Sequence, residues 1–323
     1  MATKSYGFAI GNVRAKETTL LTAADITQLL ACRTTEELAA ALRDKGYGNP
    51  SEQQDVPAML RTETRALWQY LLGMAPDDAC FAPFFYENDY HNLKTTLKGV
   101  VRGRNYRHLL IEPALVDPAL LERAVKEGRF DLLPPYLRGG EAARTALVEN
   151  GDPQLADGIL DAACLDAQRE AAAATKNAVI QRIADTKVFF NTIKAAIRAA
   201  KAQKSAAFLD AILVDTDRLS KHDLIAAARA GEDAVLELLE KKGFAQAAER
   251  YRESPAAFEK YADDQVTAAA RDCRFANSGI EPLLGYLMAR LAELKTVRIL
   301  YSGVKTGQPE QTVRERLRDL LYG

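Results

Sequence analysis

One stretch, FFYENDYHNLKTTLKGVV from Phe84 to Val101, constrains the fold of this chain more than any other, because weakened copies of it recur along the sequence. Leu93, Leu97, Val100 and Val101 fall at i, i+4, i+7 and i+8 and so form one stripe of an α-helix, with Lys94 and Lys98 beside it. The shared kernel is an apolar residue followed by a cation: Asn12-Val13-Arg14, Asn92-Leu93-Lys94, Thr192-Ile193-Lys194 and Thr296-Val297-Arg298. Gly99 and Gly303 both lie six residues after the apolar position of their copy. The last three copies are separated by 100 and 104 residues. A chain of 323 residues is longer than one hydrophobic core usually supports, and with this repeat it reads as three modules.

The segments between the copies repeat as well. Thr22 with Asp25 has the form of a capping box at a helix start, and Ser220 with Asp223 repeats it. Thr34 with Glu37 opens a second short helix through Leu38 and Leu42 that stops at Gly46-Tyr47-Gly48, a stop echoed by Val235, Leu239, Gly243 and Phe244. In both, glycine suits the left-handed position that ends a helix, and the following aromatic can fold back onto the last turn. Gly128, Leu132, Leu133 and Tyr136 occupy comparable places in the middle third. A longer helix is expected to start at Ser51 after Pro50, at Asp152-Pro153 and at Ser254-Pro255, ending near Gly73, Thr175 and Arg274. Each leads to another copy of the apolar-cation helix. No segment sustains period-two alternation of β-branched residues, and Leu, Ala, Glu, Lys and Arg fill the periodic parts, so the expected fold is all-α.

The expected modules span residues 1–106, 107–206 and 207–323. The chain opens with the element that closes each repeat and ends, at Thr312 to Tyr322, with a short helix like those that begin one. An open solenoid carries distinct caps at its ends. Complementary half-repeats instead predict that the first and last modules meet, giving a three-part ring with pseudo-threefold symmetry.

Function classes can be narrowed from the same residues. Lys and Arg number 43 against 44 acids, a net charge of −1, which provides no general attraction to nucleic acid or an anionic membrane. Four scattered cysteines and an N-terminus without a signal-peptide core fit a reduced, cytoplasmic protein, and no apolar run is long enough to span a bilayer. His91, His108 and His222 have no partner at metal-ligand spacing, and neither GxxxxGK[ST] nor GxGxxG occurs, so no metal or cofactor is expected. Asp77-Asp78 and Asp263-Asp264 are similar to the Mg²⁺-binding aspartates of terpenoid-type synthases. However, the first pair follows Pro76 in a loop, and the second lies within a helix without a third acid at i+4. Arg102, Arg104, Arg107 and His108 cluster around Tyr106, and Lys187, Lys194, Arg198, Lys201 and Lys204 line one helix face. Each set reads either as a surface for an acidic partner or as an ordinary basic helix end and solvated side.

The order and spacing of several of these motifs together resemble one family, the C subunits of the A-type and V-type rotary ATPases, which are the counterparts of the d subunit in eukaryotic V-type enzymes. The resemblance is carried by Val13-Arg14-Ala15 with Leu20-Leu21, by Tyr90-His91-Asn92-Leu93-Lys94-Thr95 and by Gly285-Tyr286-Leu287. It continues through Glu293-Leu294-Lys295-Thr296-Val297-Arg298-Ile299-Leu300 and the ending Arg314-Glu315-Arg316-Leu317, and is thinnest between Leu109 and Ala174. It implies a non-catalytic, funnel-shaped, three-module helical protein on the cytoplasmic face of the membrane rotor ring of proteolipid subunits. Its other partners would be the D- and F-type subunits of the central stalk, whose tip it receives. The cations of the repeat, Arg14, Lys94, Lys194 and Arg298, are the candidate partner contacts; their alternative role is to bridge to neighbouring helices. Two other classes stay open from the residues alone: a generic helical-repeat adaptor, and an all-α Mg²⁺-dependent enzyme acting on a diphosphate.

Overall fold

The computed structural model describes residues 5–322, and among them every regular element is helical. Local capping sets most of the boundaries. After α1 (Tyr6–Glu17), α2 (Ala23–Leu30) opens with the expected box, in which Thr22 and Asp25 exchange side-chain to backbone bonds. Thr34 caps α3 (Thr35–Asp44) through the Glu37 amide, but Glu37 reaches one residue further back, to the Arg33 amide. At the end of α3, Gly46 takes φ +82° and Tyr47 turns back to donate to the Leu42 carbonyl. Ser51 does not start the next helix. Asn49 folds residues 49–52 into a local turn, accepting from the Ser51 amide and donating to Glu52, so α4 (Val56–Met74) begins four residues later, on the Asp55 cap.

The organising stretch forms α5 (Ala82–Arg102), and the middle third continues with α6 (Pro118–Glu127), α7 (Gly140–Val148), α8 (Pro153–Ala174) and α9 (Ala178–Lys201). Two short helices, a longer one and an apolar-cation helix therefore occur in order twice, as α2 to α5 and as α6 to α9. The last third adds α10 (Ala206–Ile212), α11 (Lys221–Ala230), α12 (Glu232–Lys241), α13 (Ala245–Glu253), α14 (Pro255–Ala268), α15 (Glu281–Lys305) and α16 (Glu310–Arg316). Ser220 and Ser254 cap as expected. α14 stops at Ala268, short of Arg274, and a 3₁₀ turn covers Arg271–Phe275. The terminal helix is also shorter than expected: Arg318 bonds Asp263, the Asp319 amide bonds Asp264, and Asp319 pairs with Lys260, which draws the chain after Arg316 out of helix and along α14.

Contacts divide the chain into two compact units. One runs through Asp78 and resumes at Arg250; the other comprises Ala79–Glu249 and so groups α5 with the helices after it. The second unit has a core of Tyr90, Leu93, Leu97, Leu121, Ala124 and Leu160. The Ala-rich middle segment explains itself there: Ala156, Cys164 and Ala167 put small side chains on the face of α8 that also carries Leu160, which lets it lie close against α5 and α7. In the first unit α15 is the central helix, buried along most of its length and packed by α1, α3 and α4.

The glycines of the repeat mark close crossings. A Cβ on Gly99 would lie 2.1 Å from the Tyr106 ring, and one on Gly303 2.3 Å from a Val313 methyl on α16. Gly303→Ala is therefore expected to destabilise by about 1–2 kcal/mol, overpacking outweighing the better helix propensity of alanine. Adding Val313→Ala should recover most of that loss. Thermal denaturation of the single and double variants checks this.

Candidate functional site

Three of the four apolar-cation helices carry a large or acidic residue four positions before their apolar landmark, Asp89 before Leu93, Phe189 before Ile193 and Glu293 before Val297, where α1 has Ala9 before Val13. A four-residue step keeps these residues on the buried stripe. All three are at most 1% exposed, and each meets the aromatic that comes after a glycine turn elsewhere in its own unit.

In the first unit, Glu293 takes one bond from the Leu21 amide at 2.7 Å, and others from the Tyr47 hydroxyl and the Arg290 guanidinium. Arg290 also donates to Glu63 at 2.5 Å and lies 4.7 Å over the Tyr47 ring, while Glu63 accepts from the Gly48 amide. Burial pushes the Tyr47 hydroxyl above its ordinary range, so it stays a donor. The network ties the connection between α1 and α2, the turn after α3, α4 and α15 together.

In the second unit, Asp89 accepts from the Leu115 and Val116 amides on one oxygen and from the Tyr136 hydroxyl on the other. Burial raises its pKa, with the three donors opposing. Phe189 makes the third contact with no charge, its ring 4.5 Å from that of Phe244. Because the folded pKa of Asp89 is raised, its contribution to stability is complete below the ordinary carboxylate pKa, near 4, and is lost as pH rises through the folded value. An asparagine could accept both amides and donate to Tyr136 without charge. Asp89→Asn should thus melt above the parent at pH 8, with the difference fading towards pH 4. Asp89→Leu, which orphans two amides at about 1–3 kcal/mol each, should melt lower throughout.

The sequence did not single out Glu63, Asp89, Arg290 or this role of Glu293. A signal was present: Asp89 and Glu293 fall in phase with Leu93 and Val297, where a solvated charge has no place.

The four expected contact residues fare differently. Arg14 is held by Glu17 at 2.8 Å and by the Ala276 carbonyl at 2.6 Å, and Lys94 of α5 pairs with Asp161 of α8 at 2.5 Å. Lys194 has a partner of its own. Arg298 is exposed and makes no ion pair among the described residues. Other basic residues are also engaged: Lys187 pairs with Glu87 at 2.7 Å and Arg107 with Glu122 at 2.7 Å. Asp263 is bound by Lys295 and Arg318, and Asp264 by Lys260. No group of three metal-ligating side chains occurs among the described residues, and no helix there is long and apolar enough to cross a membrane.

The profile of the ATP synthase (C/AC39) subunit family matches residues 9–316 of this framework. The chain belongs to that family. A relative, the C subunit of the V-type sodium ATPase of Enterococcus hirae, is 21% identical over 319 residues, covering 95% of this chain and 96% of its own length. The match to the C/AC39 family extends over the Ala-rich middle third, where the motifs are faintest. It includes all four repeat cations and both acid-tyrosine contacts.

Proposed function

We propose that this chain is the non-catalytic rotor subunit of a V/A-type ATPase or ATP synthase, joining the central stalk to the membrane rotor ring during proton or sodium transport. Its partners are then the D- and F-type stalk subunits and the proteolipid ring, and its place is the cytoplasmic face of the membrane. The observation that carries this reading, beyond family membership, is the way the chain's two ends are locked into one unit by the Glu63–Arg290–Glu293–Tyr47 network. A part that transmits torque must not open under load, and close-packed helices cross-tied by buried polar bonds resist deformation. Three similar modules, near residues 1–106, 107–206 and 207–323, in a pseudo-threefold funnel or ring would place equivalent helix ends around a socket for the stalk. The diphosphate-enzyme reading is disfavoured because the charges of Asp263 and Asp264 are already met by Lys260, Lys295 and Arg318.

The test is capture of the rotary complex from native membranes, followed by binding of purified stalk subunits to Lys94→Ala, Lys194→Ala and Arg298→Ala at two salt concentrations. Arg298→Ala should bind more weakly and with less salt dependence, while the already paired Lys94 should matter less. Absence of stalk or ring subunits from the captured material overturns the reading, as does ATP turnover by the purified chain.

A further inference from the structure

After α5 the chain doubles back along the helix it has just completed. Tyr106 packs on Gly99, His91 meets the Leu109 carbonyl, Asn92 both donates to and accepts from Ile111, Asn88 donates to the Pro113 carbonyl, and Asp89 accepts from Leu115 and Val116. Polar side chains of one helix thus hold an irregular segment in a fixed path over roughly 15–20 Å. Three of the side chains this path turns outward are aliphatic, Leu109 at 53% exposed, Ile111 at 38% and Leu115 at 52%, and Arg107, His108 and Glu112 are exposed beside them. At the α5 end of the same strip, Arg102 and Arg104 are exposed and without an ion pair among the described residues, and from Arg102 to Leu115 Glu112 is the sole acid against Arg102, Arg104 and Arg107.

Aliphatic side chains held in water on an ordered backbone, beside unneutralised guanidiniums, need a cover that is both apolar and anionic. An added β-strand does not fit, because the backbone groups it would pair with are already used by Asn88, Asp89, Asn92 and His91. A second copy does not fit either, since three aliphatic side chains fall far short of the roughly 800 Å² per partner of a stable interface. An acyl-chain boundary under phosphate headgroups supplies both chemistries at once, and guanidinium groups pair with phosphate bidentately. We infer that the segment from Arg102 to Leu115 docks on the surface of an anionic phospholipid bilayer, with Leu109, Ile111 and Leu115 at the acyl boundary and Arg102 and Arg104 on the headgroup phosphates. The overall charge of −1 does not oppose this, because the local strip and not the whole molecule meets the surface. The inference stands apart from the rotor reading and is tested on the chain alone.

The experiment is flotation of the purified full-length chain with vesicles of phosphatidylcholine alone, or of an equal mixture with phosphatidylglycerol. Two variants are compared: Leu109→Ser with Ile111→Ser and Leu115→Ser, and Arg102→Gln with Arg104→Gln. All five side chains are exposed, and thermal melting confirms that the variants fold. The parent should float with anionic vesicles, less so as salt is raised, and each variant should associate about tenfold more weakly or worse. The proposal is overturned if the parent ignores anionic vesicles, or if both variants float as it does. It is equally overturned if the variants float normally but lose capture by stalk or ring subunits, since the strip is then a protein interface.

Discussion

Replacing Arg290 by methionine is expected to lower the stability of its unit by about 3–5 kcal/mol, the usual cost of stranding buried charge. Glu293, 1% exposed, would keep the Tyr47 hydroxyl and the Leu21 amide but lose its cation, and Glu63 would keep only the Gly48 amide. The loss should come mainly from the stranded carboxylates and not from the missing pair. Adding Glu63→Gln and Glu293→Gln to Arg290→Met should therefore restore much of it. The chain's single tryptophan, Trp68, is buried in α4, so its fluorescence in guanidinium titrations reports this unit. If the single and triple variants unfold at the same denaturant concentration, the network is not acting through buried charge.

Leu93→Ala and Ile193→Ala are each expected to cost about 2–5 kcal/mol, because both side chains are fully buried and their removal leaves cavities among rigid helices. Leu109→Ala, on an exposed leucine, should stay within about 0.5 kcal/mol of the parent and serves as the control. Far-UV circular dichroism is the readout here, since the Ala79–Glu249 unit contains no tryptophan. A loss at Leu93 no larger than at Leu109 would mean that the repeat's apolar landmark is not a core position.

The sequence made legible whatever local chemistry decides. Thr22, Asp152, Ser220 and Ser254 cap helices where expected because a side-chain oxygen and an amide two or three residues on need nothing else. The all-helical class and the apolar-cation stripe came from a spacing that tertiary packing then used. Ser51 failed where two local solutions competed and the Asn49 turn won. The buried network was beyond reach for another reason: Glu293 and Tyr47 are 246 residues apart, and nothing near either announces the other. The same distance effect cut the terminal helix short, since Asp319 is held by Lys260, 59 residues away. Only the phase of Asp89 and Glu293 within their stripes gave a hint, and it identifies a buried acid without naming its partner.

A unit assembled from both ends of one chain also sets a timetable for biosynthesis. When α3 and α4 leave the ribosome, Leu38, Leu42 and Leu71, all fully covered in the finished fold, have no α15 to cover them. The ribosome must first translate the whole Ala79–Glu249 unit and most of the remaining C-terminal residues, roughly ten to forty seconds at ordinary elongation rates. Through that interval the nascent N-terminal helices remain a target for chaperones, while the intervening unit, contiguous in sequence, has every residue it needs to fold as it emerges.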